Sequence, residues 1–218
     1  MRSKLLKIPF AIKDDRLIHI STVESGFRPD CLCPCCQRPL VAVKGAIRIH
    51  HFRHKGNPDC QPETVAHKLG IMIMKERIES AISTNHPLSV QWKCSDCHYY
   101  HQLELMLGIT QVESEYTLGS IRPDLALLDS EGQVRAIIEV VVTHSPESPV
   151  EEYCITRNIP LVEIRIDKAE DLEQLKESIC IEVTHASSCP TPRCGKCDRP
   201  MKKRLLYAPF TSCWKCKQ

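Results

Sequence analysis

Alternating apolar and polar residues predict that much of this chain folds into short strands joined as hairpins. An apolar run, an Asp-Asp turn and a second apolar run predict a hairpin over residues 7–24. A second hairpin is predicted from strands at 40–43 and 46–50, which are separated by a Lys-Gly turn. Residues 87–107 predict two further strands on either side of a polar tip. Antiparallel strand pairs therefore dominate the predicted first half of the chain.

Helical spacing is clearest after Pro62, which suits the first position of a helix, as Glu63 suits its positive end. Steps of three and four residues place five side chains on one stripe: Glu63, His67, Ile71, Met74 and Ile78. The stripe begins polar and then becomes apolar, so Glu63 and His67 could face an active site. Alternatively, Glu63 is a first-turn acid and His67 a surface histidine. The same spacing predicts three helices, over 62–82, 148–158 and 168–179.

Two acidic residues interrupt the most apolar part of the chain. Apolar runs on either side of an Asp-Ser-Glu-Gly turn predict a strand hairpin over residues 120–147, which contains Asp124 and Glu139. A buried carboxylate without a partner is costly, and in a hairpin these two could meet on one face. Two convergent carboxylates suit a hard divalent cation such as Mg²⁺ or Mn²⁺. The alternative is that Asp124 lies beside Arg122 and Glu139 pairs with Arg135.

Composition is that of an ordinary globular protein. Of the 218 residues, 42% are hydrophobic and 26% are charged. No apolar run approaches the roughly 18 residues that a membrane span requires. The N-terminal sequence meets charges within a few residues, which is untypical of a signal peptide. We therefore expect a cytoplasmic protein that does not associate with membranes.

Fourteen cysteines are many for such a chain, and eight of them form Cys-x-x-Cys pairs. In a reducing compartment this spacing favours zinc over disulfides. The most specific pattern combines Cys194 and Cys197 with Cys213 and Cys216, because two pairs separated by fifteen residues are typical of a zinc ribbon. Such a module has too few apolar residues to fold alone, so the metal would supply its folding free energy.

The C-terminal segment is basic whereas the rest of the chain is acidic. From Cys189 onward there are eight Lys and Arg against one Asp, and the preceding 188 residues contain 21 basic and 26 acidic residues. Basic residues alternate there with Tyr207 and Phe210, which suits phosphate contacts and base stacking. The expected partner of this segment is nucleic acid. The alternative is a solvated lysine-rich surface.

Two further sites are predicted closer to the N-terminus. Cys33 and Cys36 form a knuckle, and His51, His54 and Cys60 offer the remaining ligands. The predicted closed set is Cys33, Cys36, His54 and Cys60, with Cys31 and Cys35 as spares. Alternatively, the pair Cys31 and Cys33 takes the place of Cys33 and Cys36.

The polar tip of residues 87–107 is the third site. Cys94 and Cys97 with His98 or His101 supply three ligands for zinc, or four if both histidines bind. The alternative is a thiol redox pair.

The predicted element order resembles a known enzyme core. A helix (62–82), three antiparallel strands (88–107, 120–128 and 134–143), a helix and a strand at 159–166 give the order αβββαβ. With Pro123-Asp124 on the second strand and Glu139 on the third, this order resembles the restriction-endonuclease-like core of the PD-(D/E)XK nuclease superfamily. The predicted fold class is thus α/β (α+β), with three domains: an N-terminal zinc-binding β module (1–61), the core (62–186) and a C-terminal zinc ribbon (187–218).

The N-terminal half carries a second resemblance. Cys33-Pro-x-Cys36, His51-Phe52-Arg53-His54 and the helix with Glu63 and His67 are similar to the competence protein CoiA family. Together the two resemblances span roughly residues 8 to 166, and they imply metal-dependent cleavage of DNA phosphodiester bonds.

In that comparison Glu63, Asp124 and Glu139 would hold Mg²⁺. One position departs from the pattern, because Val141 stands where the superfamily has Lys, or Gln in the CoiA-like variant. The missing group would have to be replaced by Thr143, His144, His67 or Lys68. Two functions are therefore predicted: a Mg²⁺-dependent nuclease with zinc modules that bind its substrate, or an inactive nuclease-fold zinc protein that binds nucleic acid or a protein.

Overall fold

A computed structural model describes residues 6–47, 49–56, 60–95, 97–142 and 148–186. Over these ranges the chain has a mixed α+β fold, in which thirteen strands outnumber three α-helices. No helix in the described ranges is long and apolar enough to cross a membrane. The predicted C-terminal ribbon lies outside the described residues, as do Thr143 and His144.

The first sheet is antiparallel throughout, in the order β2-β1-β3-β4-β5. Its strands are β1 (Phe10–Lys13), β2 (Arg16–His19), β3 (Gly26–Leu32), β4 (Pro39–Val43) and β5 (His51–His54). The predicted first hairpin forms between β1 and β2, where Asp14 and Asp15 both have positive φ, 48° and 58°. Two such residues in a two-residue turn match the right-handed twist of the strands they join.

The predicted strand at 46–50 is wrong, because β5 begins only at His51. The side chain of Ile47 is 98% exposed, and Ile49 is also exposed. Phe52, by contrast, is buried and opposite Ala42, and its N–H donates to the carbonyl of Ile8. Pairing therefore starts where the alternating side chains can reach the core.

The second sheet, which we call the central sheet, has the order β13-β11-β10-β9-β8. Its strands are β8 (Gln111–Ser114), β9 (Leu125–Leu128), β10 (Val134–Val141), β11 (Leu161–Arg165) and β13 (His185–Ala186). Strands β8, β9 and β10 are antiparallel, whereas β11 runs parallel to β10 after the helix α2 (Ser148–Arg157). All four residues of β9 are buried, as expected for a central strand.

The structure corrects which strand comes first in the three-stranded antiparallel unit. The strands of 88–107 are β6 (Ser89–Lys93) and β7 (Tyr100–Glu104), and they form a separate sheet with β12 (Cys180–Glu182). The edge of the central sheet is instead β8, which the sequence pattern did not indicate. Only Val112 of β8 is fully buried, so its pattern is weak. It is a strand because it pairs with the backbone of β9.

Helix α1 (Pro62–Thr84) packs between the central sheet and α3 (Ala169–Glu177). The predicted apolar stripe is buried at Ile71, Met74 and Ile78. The buried surface of α1 is wider than one stripe, since Leu69 and Ile73 are also fully buried. A helix covered on more than one side is apolar around much of its circumference.

Gly70 allows α1 to approach the sheet closely. A Cβ atom there would lie 2.6 Å from Cδ1 of Ile166 and 2.7 Å from Cγ1 of Val140. Overpacking costs about 1–3 kcal/mol, and the gain in helix propensity from Gly to Ala is about 1 kcal/mol. We expect Gly70→Ala to lower the unfolding free energy by about 1 kcal/mol, measured by urea denaturation. Gly45→Ala is the control, because that Cβ meets nothing within 4 Å; equal effects would contradict the packing argument.

Candidate metal centres and acidic site

The first cysteine knuckle is closed by its own backbone. The N–H of Cys33 donates to the carbonyl of Arg38, and the N–H of Gln37 donates to the carbonyl of Cys33, both at 2.9 Å. Gln37 has φ of 57°, which reverses the chain directly after Cys36. This turn lies between β3 and β4 and directs two cysteines to one point.

Four side chains converge at that point: Cys33, Cys36, His54 and Cys60. Sγ of Cys33 lies 3.7 Å from Sγ of Cys60, and Nε2 of His54 lies 3.2 Å from Cys36 Sγ and 3.5 Å from Cys60 Sγ. With Zn–S near 2.3 Å, the edge of a tetrahedral thiolate site is about 3.8 Å. The group could therefore hold a metal ion such as zinc, and its N/S donors fit that metal. Of the other candidates, Cys31 is buried and Cys35 is exposed, and neither is in the group.

The surroundings differ among the three thiols. Burial raises the pKa of the Cys33 thiol, and burial together with hydrogen bonding to its neighbours raises the pKa of Cys60. Burial has the same tendency at Cys36, but the Arg38 backbone N–H and the neighbouring thiols outweigh it and lower the pKa of Cys36. Cys36 is thus the thiol best prepared to bind as thiolate, and metal binding would displace protons from the others.

The second knuckle has the same pattern of backbone hydrogen bonds as the first, and the same position has a positive φ. The N–H of Cys94 donates to the carbonyl of Tyr99, the N–H of His98 donates to the carbonyl of Cys94, and His98 has φ of 62°. The hydrogen bonds join the same relative positions as in the first knuckle. Two turns of the same design therefore occur in two different sheets.

Three ligands converge at this second knuckle: Cys94, Cys97 and His101. Nε2 of His101 lies 3.0 Å from Sγ of Cys97, while the positive-φ residue His98 is exposed and is not in the group. Burial lowers the pKa of His101, which favours the neutral imidazole that binds metals. This group could also hold a metal ion such as zinc.

The acidic residues of the central hairpin lie where β9, β10 and α1 meet. Asp124 precedes β9, and its Oδ2 accepts a hydrogen bond from the N–H of Val140 at 2.8 Å. Glu139 Oε1 accepts from the N–H of Asp124 at 3.3 Å. Nε2 of His67, on α1, lies 3.1 Å from Asp124 Oδ2. Two carboxylates and one imidazole from three elements are thereby brought together.

The charge of His67 follows from this arrangement. Its hydrogen bond to Asp124 raises the pKa of His67, burial opposes that shift, and the charges of Asp124 and Glu139 reinforce it. The side chain of Asp124 is only 14% exposed whereas that of His67 is 40% exposed, so the interaction is partly shielded from water. The two acids thus shift the titration of His67 toward its protonated form.

The other predicted participants are more distant or otherwise engaged. Glu63 lies one helical turn before His67 and is partly exposed. Nζ of Lys68 lies 3.7 Å from a carboxylate oxygen of Glu115. Val141 is only 4% exposed, and its apolar side chain supplies neither a charge nor an amide. Within the described ranges Asp124, Glu139 and Glu63 do not form a three-ligand group of the kind found at the two knuckles.

Glu163 is a partly buried acid that the sequence analysis missed. It is the register partner of Glu139 on the neighbouring parallel strand. Burial raises the pKa of Glu163, the charge of Glu151 reinforces that shift, and the charges of His185 and Arg165 oppose it. Its sequence context, an acid within an apolar strand, was the same signal that singled out Glu139.

This shift predicts a pH-dependent stability. A carboxyl whose folded pKa is raised favours folding most below its unfolded value, near 4.5, and this contribution is lost as pH rises through the folded pKa. We therefore expect the unfolding free energy of the wild type to fall relative to Glu163→Gln between pH 5 and pH 8, in urea denaturation. Glu152→Gln is the control, because Glu152 is exposed and is not among the charges that shift the pKa of Glu163. A constant difference across that range would refute the prediction.

Over the described residues, the fold and the sites define an α+β protein with two Cys/His groups that could hold a metal ion. Residues 22–63 match the family model of the competence protein CoiA, N-terminal domain. The matched segment contains strands β3 to β5 and the complete first group, Cys33, Cys36, His54 and Cys60. No curated protein and no solved structure matches the chain.

Proposed function

We propose that this protein is a metal-dependent nuclease of the PD-(D/E)XK type that hydrolyses DNA phosphodiester bonds. The element order supports the proposal: after α1 and the hairpin of β6 and β7, which belongs to another sheet, come the antiparallel strands β8, β9 and β10, then α2 and β11, which is parallel to β10. Without that hairpin, the order is similar to the predicted αβββαβ, with β8 as the first strand. The match of residues 22–63 to a competence-protein domain agrees with a role in DNA processing.

The observation that carries the proposal is the meeting of Asp124 and Glu139 at the junction of β9 and β10. Backbone N–H groups hold both carboxylates, so their positions are determined by the sheet itself. A purely structural hairpin has no need for two acids at such a junction, because each costs desolvation energy. The acids are therefore best explained by a cationic ligand.

The donor set fits Mg²⁺ or Mn²⁺, because both ions prefer carboxylate oxygens with water completing the coordination. Asp124 and Glu139 would hold the ion, and Glu63 lies on the helix that supplies His67. When bound, the ion would stabilise charge on the phosphate and lower the pKa of a water molecule.

His67 has a separate role in this proposal. Its imidazole orients Asp124 through the hydrogen bond to Oδ2 and adds positive charge beside the acids. That charge compensates in part for Val141, since developing negative charge on the phosphate needs a nearby cation or donor. The zinc-binding modules, including the basic C-terminal ribbon, assist in binding DNA through its phosphates.

The test is cleavage of circular single-stranded DNA and of supercoiled DNA with Mg²⁺ or Mn²⁺. Wild type, Asp124→Asn and Glu139→Gln are compared after zinc content has been measured for each. Metal-dependent cleavage by the wild type that is lost in both variants, with zinc retained, supports the nuclease. Absence of cleavage by zinc-loaded wild type with either metal refutes it.

A second candidate function is a catalytically inactive nuclease fold that binds nucleic acid or a protein partner. The buried Val141 favours it, because a residue important for charge stabilisation in the superfamily is replaced by an apolar one. Salt-sensitive DNA binding that survives both acid substitutions, without cleavage, would support this candidate.

A further inference from the structure

The solvent-facing side of the first sheet, formed there by β3, β4 and β5, carries an exposed aromatic ring among basic side chains. Phe27 on β3 is opposite Val41 on β4, and Val41 is opposite Arg53 on β5. Directly opposed residues in antiparallel strands project from the same face. Phe27 is 49% exposed, Arg53 is exposed and Val41 is only partly buried, so this row faces solvent.

The other face of the same strands is the core face. The adjacent row consists of Ala42 and Phe52, both buried, and His54 of the first metal group follows Phe52 by two positions. The strands that carry the exposed row are therefore held in place on their opposite face by the buried side chains of Ala42 and Phe52 and by the first metal group. A ring mounted on such a support can offer a flat surface without rearrangement of the strand.

A cation already lies over the ring. Nζ of Lys55 is 5.0 Å from the centroid of Phe27, a distance typical of cation–π contact. Lys55 directly follows the end of β5, and its contact with Phe27 places its ammonium group on the same face as Arg53. The loop between β4 and β5 lies at the end of this face, and it exposes Ile47 and Ile49.

We propose that Phe27, Arg53 and Lys55 form a binding surface for single-stranded DNA. An unstacked base would lie on the Phe27 ring, and the guanidinium and ammonium groups would contact the flanking phosphates. Aromatic rings beside cations on an open sheet are suited to this task, because every base has a stackable face and every nucleotide a phosphate. A duplex is disfavoured, since its bases are stacked on each other. The proposal extends the proposed function and rests on it for the choice of DNA.

The test measures binding of fluorescent oligothymidylate of about twenty nucleotides by anisotropy, in buffer without Mg²⁺. We expect Phe27→Ala and Phe27→Leu to weaken binding by about fivefold or more, whereas Phe27→Tyr retains it. An abasic strand of equal length separates stacking from charge, because the phosphates are the same. Phe27→Ala should bind the abasic strand as tightly as the wild type does. Arg53→Ala should bind both strands more weakly, and the slope of log affinity against log salt concentration should fall by about one unit, which corresponds to one lost phosphate contact. Zinc content and melting temperature establish that each variant is folded.

The outcome is independent of catalysis. Equal oligothymidylate affinity in wild type and Phe27→Ala overturns the proposed surface, even if DNA cleavage is observed. Phe27-dependent binding without any cleavage supports the surface and rejects the nuclease. Equal loss for the normal and abasic strands in Phe27→Ala would also overturn the proposal, because it would show that the ring does not stack on a base.

Discussion

Replacing Cys36 with alanine is expected to remove one zinc ion per chain and to unfold the sheet formed by β3, β4 and β5. Cys36 is one of four converging ligands, and it is the thiol whose pKa the surroundings lower. Structural zinc sites contribute about 10 kcal/mol or more of apparent binding free energy in zinc-finger peptides. A loss on this scale is comparable to the whole stability of a domain, which is about 5–15 kcal/mol.

The measurements are zinc content by elemental analysis, melting temperature, and amide hydrogen exchange over residues 22–63. Cys35→Ala is the matched control: Cys35 belongs to the same tetrapeptide but is exposed and outside the group. We expect the control to retain wild-type zinc and wild-type protection from exchange. If Cys36→Ala retained as much zinc as the control, the proposed ligand set would be wrong.

Asp124→Asn is expected to reduce DNA cleavage by about a hundredfold or more, since even residues that only support a metal ligand typically contribute 10- to 100-fold. The amide is nearly isosteric, and its oxygen can still accept the Val140 N–H. It cannot supply the negative charge that would hold a divalent cation. Loss of the carboxylate charge should also weaken the hydrogen bond and the charge interaction with Asp124 that raise the pKa of His67. Activity should therefore fall far more than stability does.

Asp129→Asn is the control for this experiment. Asp129 also accepts backbone hydrogen bonds, from Glu131 and Gln133, but in the turn between β9 and β10. Cleavage rate at saturating Mg²⁺ and urea denaturation are measured for both variants. Equal activity in Asp124→Asn and Asp129→Asn would exclude Asp124 from the active site.

Local physical rules account for what could be predicted about the elements. The spacing of apolar residues predicted the three helices to within a few residues, since that period arises within one segment. The Asp-Asp turn similarly predicted the first hairpin. Predictions were poorer where burial depends on distant residues: the exposed Ile47 and Ile49 resembled a strand, and the polar β8 did not.

The same distinction applies to the sites. Cys-x-x-Cys spacing predicted two knuckles, because a tight turn brings its two cysteines together without help from the rest of the chain. The remaining ligands depend on strand pairing. His101 is in the second group, opposite Trp92 on β6, whereas His98, closer in sequence to Cys97, is exposed.

Local sequence patterns were sufficient to predict the helices, the first hairpin turn, the paired cysteines and the acids within apolar strands. Each depends on neighbours within a few residues. Only the tertiary structure decided that His67 meets Asp124, 57 residues away, and that Glu163 lies beside Glu139. These contacts require a helix to pack on a sheet and two parallel strands to pair in register. Many alternative registers are compatible with the same local pattern, and the shared core selects among them.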